Sequence, residues 1–170
     1  MASLKKLREH IDRLDESLLK LLNERGRLVE TIGQLKQKSS QSVFVPSREK
    51  SLLQRLKRIN RGPLSNQAVQ DVFYEIVHAC RSLQKQLTIS FLGPEATFTH
   101  QAVLKCFGPQ AELLSAHSIA DVFSEVEKGR ADYGVVPIEN STEGVVNHTL
   151  DMFIKSNLSI CAEMELTIYY

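Results

Sequence analysis

Apolar residues recur at alternating spacings of three and four along the first 35 positions of the chain. The pattern is a heptad seam with Arg25 as its only polar member. Its members are Leu4, Leu7, Ile11, Leu14, Leu18, Leu21, Arg25, Leu28, Ile32 and Leu35. The spacing predicts one helix over residues 3–38, about 50 Å long at 1.5 Å per residue. Such a helix exceeds the diameter of a small domain, so its stripe must pack on another long element. A second copy of the chain is the obvious partner.

Two shorter helices are predicted after a break at residues 39–45. Pro46 can open the second helix, because a missing N–H group costs nothing in the first turn, and Gly62-Pro63 ends it. Ser65 is a candidate N-cap for the third helix. The expected buried stripe of that helix is Val69, Val72, Phe73, Ile76, Cys80, Leu83, Gln84 and Leu87.

The pattern changes near Leu87, where short β-branched runs begin to alternate with helical segments. Strands are predicted at residues 88–92, 112–115, 133–136 and 158–168, and helices at 96–107, 118–128 and 145–155. Alternating strands and helices favour an α/β lobe with a mainly parallel sheet, whose ligands bind beyond the carboxyl ends of the strands.

Charge divides the chain at the same place. Residues 1–87 hold 17 Lys and Arg against 9 Asp and Glu, whereas residues 88–170 hold 4 against 11. We therefore expect two domains, 1–87 and 88–170, in a chain whose net charge is only +1. The basic half has few aromatic residues and no long basic run, so it favours solvated helix faces or a small-anion site over nucleic acid.

Other features of the sequence narrow the class of protein. No apolar stretch is long enough to span a membrane, and the N-terminus has no export signal. Three dispersed cysteines are typical of reduced thiols in the cytoplasm. Neither the cysteines nor the histidines have the spacing of metal ligands, so we expect no metal and no cofactor.

Polar residues interrupt or flank the apolar stripes of the first half: Arg8, Arg25, Lys36, Arg48 and Gln84. Taken singly, each has a structural interpretation. Arg25 could pair with Glu49 or another acid, and Arg8 and Lys36 could be solvated. Taken together, four cations and an amide next to an apolar interior favour a water-poor pocket for a dianion, because an unpartnered buried cation is very costly.

The motif L-R-x-x-I-D-x-L-D-x-x-L-L-x-L-L-x-x-R at residues 7–25, followed by G-x-x-K, R-E and a late Gln, resembles the all-helical chorismate mutase family over residues 4–87. The resemblance implies an all-α domain of three helices in an intertwined homodimer that converts chorismate to prephenate. It also implies that Arg8 and Arg25 bind the two carboxylates of chorismate and that Arg48 supports a carboxylate.

The same resemblance implies the remaining contacts to chorismate. Lys36 and Gln84 would hydrogen-bond to the ether oxygen, and Glu49 would accept from the ring hydroxyl. The chain departs from the family at Val45, where many members have an acid, and at Cys80, where a small polar residue is usual. The departure at Val45 affects a secondary hydroxyl contact rather than the reaction.

Two segments of the second half, GPEATFTH and VVPIENSTEGVVN, follow predicted strands. By chemistry alone the first is a turn, and the second could simply cap a helix. Together they resemble the prephenate dehydratase family from about Ile89 onward. The resemblance implies a prephenate site that includes Thr97, Thr99, Glu139, Asn140 and Ser141.

A mutase followed directly by a dehydratase is the order found in the bifunctional enzymes of phenylalanine biosynthesis, often called P-proteins. Such dehydratases have a second lobe with a Thr-Arg-Phe motif and usually a regulatory domain, none of which is present in these 170 residues. We therefore expect a chain truncated within a partial α/β lobe and inactive as a dehydratase. The alternatives are a mutase with an inert second half, or a non-catalytic helical dimerisation unit fused to a solute-binding-like lobe.

Overall fold

Three helices form the first part of the protein, as the apolar pattern predicts. The structure is a computed structural model, and it describes residues 3–39, 41–140 and 144–167. The helices are α1 (Leu4–Lys38), α2 (Pro46–Ile59) and α3 (Asn66–Ser82). Ser3 and Ser65 cap α1 and α3 through their side chains, and Pro46 occupies the first turn of α2.

The apolar seam of α1 remains largely exposed in the single chain. Of the described seam residues, eight keep more than half of their accessible surface: Leu4, Leu7, Ile11, Leu14, Leu18, Leu21, Leu28 and Leu35. The buried residues of α1 are instead two glycines, Gly26 and Gly33. In the described part of the chain, no helix is both long and apolar enough to cross a membrane.

The third helix ends earlier than the stripe predicts. We expected the stripe to continue to Leu87, but α3 stops at Ser82, and Gln84 lies in the turn that follows. The contacts beyond the helix explain the difference. Leu87 is buried in the core of the second part, and Lys85 pairs with Asp132. These contacts stabilise a turn into the sheet in place of a further turn of helix.

The second part is an α/β unit with a three-stranded parallel sheet in the order β2–β1–β3. Its elements are β1 (Thr88–Leu92), α4 (Phe98–Phe107), β2 (Glu112–Ala116), α5 (Ile119–Glu127), β3 (Tyr133–Val135), β4 (Glu139–Asn140), β5 (Gly144–Val145) and α6 (Asn147–Lys155). The central strand β1 pairs in parallel with both neighbours, which confirms the predicted mainly parallel sheet. Strands β4 and β5 form a separate antiparallel pair.

In the second part, one predicted strand is absent and two helices begin two residues later than expected. Helix α4 begins at Phe98 rather than at residue 96, because Thr97 is its N-cap. A strand was predicted at residues 158–168, yet residues 156–167 form no regular secondary structure, and residue 168 lies outside the described residues. An apolar run becomes a strand only where a neighbouring strand pairs with it, and none pairs with this segment within the described residues. The last helix begins at Asn147 rather than at residue 145, because Val145 pairs with Glu139 in the small sheet.

The main core lies between the sheet and α4 and includes a residue from the first part. Ile89, Phe91, Val103 and Phe107 are buried there together with Phe44, which comes from the segment between α1 and α2. The Phe44 ring lies 4.8 Å from the ring of Phe107, measured between centroids. The segment that interrupts the helical pattern therefore joins the two parts of the chain.

Candidate active site

The close approach of α1 to the chain after α3 places Gln84. A Cβ atom added to Gly33 would lie only 3.0 Å from the Cα atom of Gln84, so a glycine is needed for this contact. Lys36 lies three residues after Gly33 and therefore on the same side of the helix. The contact brings the Gln84 side chain to the helix face that also carries Lys36.

Two of the mutase candidates have a buried polar atom without a hydrogen-bond partner among the described residues: Nη1 of Arg25 and Oε1 of Gln84. Leaving a buried polar group unpaired costs about 1–3 kcal/mol, and more for a charged group. Such atoms are usually explained by a strained site or by a ligand. Among the described residues, Arg25 forms no ion pair with Glu49 or with an acid of another helix, and Glu49 pairs with Arg81 instead.

Lys36 ties the segment between α1 and α2 back onto the helix. Its Nζ atom donates to the carbonyl oxygens of Ser42 at 2.8 Å and Val43 at 3.3 Å. These bonds use two of the three N–H groups of the ammonium. Burial and then the nearby Arg48 guanidinium lower the pKa of Lys36, whereas Glu49 opposes that shift. Lys36, Arg48 and Glu49 therefore share one electrostatic environment.

The first turn of α2 carries Arg48 and Glu49. The Arg48 side chain is exposed, whereas Glu49 is partly buried and pairs with the buried guanidinium of Arg81. Burial raises the pKa of Glu49, and the charge and hydrogen bond of Arg81 oppose that rise. The N-cap of this helix is Val45, whose side chain cannot cap it, so the departure noted at this position also removes a capping group.

Arg8 is the one predicted mutase residue that the structure places far from the others. It is exposed near the start of α1, and 17 residues separate it from Arg25. At 1.5 Å per residue their Cα atoms are about 25 Å apart on one straight helix. Within one chain, the side chains of Arg8 and Arg25 therefore cannot meet on one small ligand.

The second candidate site follows two neighbouring strands. The segment with Thr97 and Thr99 comes after β1, and Glu139 comes after β3, so all three follow the carboxyl ends of adjacent parallel strands. Thr97 caps α4, where its hydroxyl accepts from His100 N at 3.3 Å and donates to Pro94 O at 2.9 Å. The backbone of Asn140 belongs to β4.

The other residues of this second candidate site lie in α4, in β4 and beyond it. Thr99 is half-buried in the first turn of α4, and Glu139 is exposed. Ser141 lies outside the described residues. Ala96 has a φ angle of 64°, which is unfavourable for a residue with a side chain. Its N–H group donates to His100 Nδ1 at 3.0 Å, and this bond helps hold the loop in that conformation.

Comparison with known proteins relates each half of the chain to a different enzyme family. The sequence model of the chorismate mutase type II family matches residues 7–85, and that of the prephenate dehydratase family matches residues 89–170. Each half of the chain thus matches one of these two families. A bifunctional chorismate mutase/prephenate dehydratase of Aquifex aeolicus is 47% identical over 99% of this chain and 48% of the relative. One from Pseudomonas aeruginosa is 42% identical over 98% of this chain and 47% of the relative.

The chain thus spans about half the length of the curated relatives that it matches. A solved chorismate mutase from Thermus thermophilus is 35% identical and aligns with 49% of this chain and 94% of its own, with a TM-score of 0.48. The two family assignments confirm both resemblances drawn from the motifs. They do not favour a non-catalytic dimerisation unit fused to a solute-binding-like lobe.

Arg81 is the residue next to the mutase-family site that the sequence reasoning missed. It follows Cys80 in the expected stripe, and nothing in the apolar pattern distinguishes it from the solvated arginines of α2. Its side chain is nevertheless buried and contacts Glu49. The spacing of Val77 and Arg81 is the signal that could have found it. The two residues are four apart and lie on the same face of α3, and both are buried.

The Gly33 contact leads to a stability prediction. Gly33→Ala should destabilise the protein by about 1–3 kcal/mol, because the new methyl group meets backbone atoms that cannot move freely. Gly26→Ala is the matched control, since its methyl group would meet only the flexible Leu83 Cδ1 at 3.3 Å. Alanine is also favoured over glycine within a helix by about 1 kcal/mol.

Urea unfolding at a fixed chain concentration measures both variants. Gly26→Ala should be as stable as the wild-type protein or more stable, and Gly33→Ala clearly less stable than either. Equal stabilities for the two variants would show that Gln84 does not pack on α1 as described.

Proposed function

We propose that the helical unit, residues 1–87, is a chorismate mutase. The observation that carries the proposal is the guanidinium of Arg25, whose buried Nη1 atom has no hydrogen-bond partner among the described residues and which lies on the same helix as Lys36. Cationic side chains at a buried, water-poor position suit a dianionic substrate. The family assignment and the names of the relatives support the same reaction.

The proposed reaction is an intramolecular rearrangement in which the ether C–O bond of chorismate breaks as a new C–C bond forms. It needs no nucleophile, metal or cofactor. The protein must hold the reactive conformer and stabilise the charge that grows on the ether oxygen. Lys36 and Gln84 would donate to that oxygen, Arg25 and Arg48 would bind or support carboxylates, and Glu49 would accept from the ring hydroxyl.

Substitution of the two ether donors tests this proposal. Lys36→Ala and Gln84→Ala should each lose about 2–4 kcal/mol of transition-state stabilisation, the scale of an oxyanion donor. That loss corresponds to a fall in kcat/KM of about 30- to 1000-fold. Following chorismate disappearance with purified protein gives the rate.

Exposed neighbours provide the controls for that test. Lys38→Ala and Gln86→Ala remove the same side-chain types two residues away and should leave kcat/KM unchanged. Near-normal activity in both Lys36→Ala and Gln84→Ala would exclude the mutase assignment of these residues.

We further propose that the unit works as a homodimer in the cytoplasm, without nucleic acid. The exposed seam of α1 supports a second copy, since a large exposed apolar patch marks an interaction site. The three cysteines are free thiols, as is usual in the cytoplasm. Arg8 would then enter the site of the partner, whose long helix runs antiparallel, because it lies too far from Arg25 on its own chain.

A mixing experiment tests the shared site. Arg8→Ala and Arg25→Ala proteins should each be almost inactive. When they are unfolded and refolded together, a mixed dimer regains one intact site, since one chain supplies Arg8 and the other Arg25. Random pairing makes about half of the dimers mixed, so about a quarter of the wild-type sites should return. No recovery, with mixed dimers confirmed by mass spectrometry, would show that each site is built from one chain.

We also propose that the second unit, residues 88–170, takes part in the dehydration of prephenate in the whole protein. The support is the position of Thr97, Thr99 and Glu139 after adjacent parallel strands, together with the family assignment. Asn140 and Ser141 would belong to the same prephenate site. The mutase product would then be the substrate of the second unit, in phenylalanine biosynthesis.

The appearance of phenylpyruvate from prephenate measures this second activity in the whole protein. Glu139→Gln should lower the rate by at least about tenfold if the carboxylate binds or acts on prephenate. Glu127→Gln, which changes an exposed acid at the end of α5, is the control and should not lower it. Equal rates in both variants would remove Glu139 from the proposed site.

A further inference from the structure

The guanidinium of Arg81 connects the two units directly. It lies at the end of α3 and is 4% exposed. Its Nη2 atom is 2.8 and 3.0 Å from the two carboxylate oxygens of Glu49 in α2. Its Nη1 atom donates to the carbonyl oxygen of Cys106 in α4 at 3.2 Å. One side chain therefore contacts a candidate mutase residue and the backbone of the α/β unit.

Aromatic rings from both units hold this guanidinium. Its Cζ atom lies 4.8 Å from the centroid of the Phe44 ring and 5.8 Å from that of Phe107. Arginine over an aromatic face at these distances is a favourable cation–π contact. The hydrogen bonds and rings together fix where the guanidinium can lie, which also fixes the position of the carboxylate bound to it.

Glu49 can still bind a ligand while it is paired. Each carboxylate oxygen has two acceptor positions, and the contacts with Arg81 occupy one on each oxygen. The Glu49 side chain keeps 20% of its accessible surface. A hydroxyl group could therefore donate to Glu49 while Arg81 remains in place.

We propose that Arg81 is a positioning residue of the mutase site, which orients Glu49 and makes the site depend on the packing of the α/β unit. The inference rests on the proposed role of Glu49 toward the ring hydroxyl. Arg81 would also link the two units, because Cys106 and Phe107 of the second unit hold the guanidinium that orients Glu49 in the first.

The charges around Glu49 support this role. Burial raises its pKa, and Arg81 is the strongest opposing influence, followed by Lys36 of α1. Arg48 precedes Glu49 on α2. Cys106 and His78, which also lie near Arg81, stay neutral near neutral pH, and the ion pair of Lys85 and Asp132 lies beside the same junction. Burial raises the pKa of the Cys106 thiol to about 11, and burial and Arg81 lower that of His78. Loss of Arg81 would therefore raise the pKa of Glu49 further. The carboxyl group of Glu49 would then stay protonated up to a higher pH than in the wild-type protein.

Steady-state kinetics with chorismate over a range of pH test the proposal in the full chain. Arg81→Leu should raise KM at neutral pH by at least about tenfold with little change in kcat, because a contact to the ring hydroxyl is made in both ground and transition states. The acid limb of kcat/KM should move to higher pH. Arg81→Lys retains a charge but not the fork and should show a smaller rise in KM and a smaller shift. A merely structural role would lower the amount of active protein and hence apparent kcat, without moving KM or the pH profile.

Lys85→Leu is the matched control. It removes the other cation at the end of α3 that pairs across to the α/β unit, with Asp132, but it does not contact Glu49. Its KM and pH profile should match those of the wild-type protein. Phe107→Leu acts from the second unit alone and should move KM in the same direction as Arg81→Lys.

The outcomes separate this inference from the proposed function. A wild-type protein that leaves chorismate unchanged would overturn the mutase activity itself. An active wild-type protein whose Arg81→Lys variant keeps a wild-type KM and pH profile would overturn the positioning role, even if Arg81→Leu fails to fold. If KM and the pH profile change in the Arg81 variants but not in Phe107→Leu, the second unit does not support the position of Glu49, and that part of the inference is overturned.

Discussion

The long apolar seam of α1 is the constraint on which the arrangement of the helical unit depends. A helix of 35 residues is about 50 Å long, and two shorter helices of the same chain cannot cover it. In the single chain, α1 therefore buries only two glycines, which approach the residues just after α3, and leaves its leucines exposed. The same length separates Arg8 from Arg25. One geometric fact thus calls for a partner for the apolar stripe and leaves the predicted site incomplete within a single chain.

The junction between the units depends on side chains that cross it rather than on a linker. Phe44 leaves the helical unit and packs in the core of the α/β unit, and Arg81 lies against its ring. Lys85 and Asp132 form an ion pair beside the same junction, and Asp132 also accepts from Thr88 N at the start of β1. The opposite net charges of the two halves are consistent with these contacts, since basic residues of α3 and the following turn meet acceptors of the second unit.

The fold could be predicted closely from the sequence because its patterns are local. The heptad seam, Pro46 and Ser65 define three helices, and β1 begins and ends where its apolar run does. The candidate residues could be found because cations and amides on apolar stripes are costly and therefore conspicuous. Features that depend on distant contacts could not be found in this way. Arg81 resembles any solvated arginine until Glu49 and Phe44 are placed beside it. The end of α3 is set by Leu87 in another core, and the apolar run after residue 157 lacks a described strand to pair with.

The charges around Lys36 are consistent with the proposed binding of a dianion. Glu49, which opposes the lowering of the Lys36 pKa, is already paired with Arg81. The nearby Arg48 contributes to the lowered pKa of Lys36, because the two cations repel each other. A ligand with two carboxylates would relieve this repulsion and would raise the pKa of Lys36, because an opposite charge favours the protonated form. In the proposed reaction the ammonium would thus be most firmly protonated when chorismate is bound, which is when it would donate to the ether oxygen.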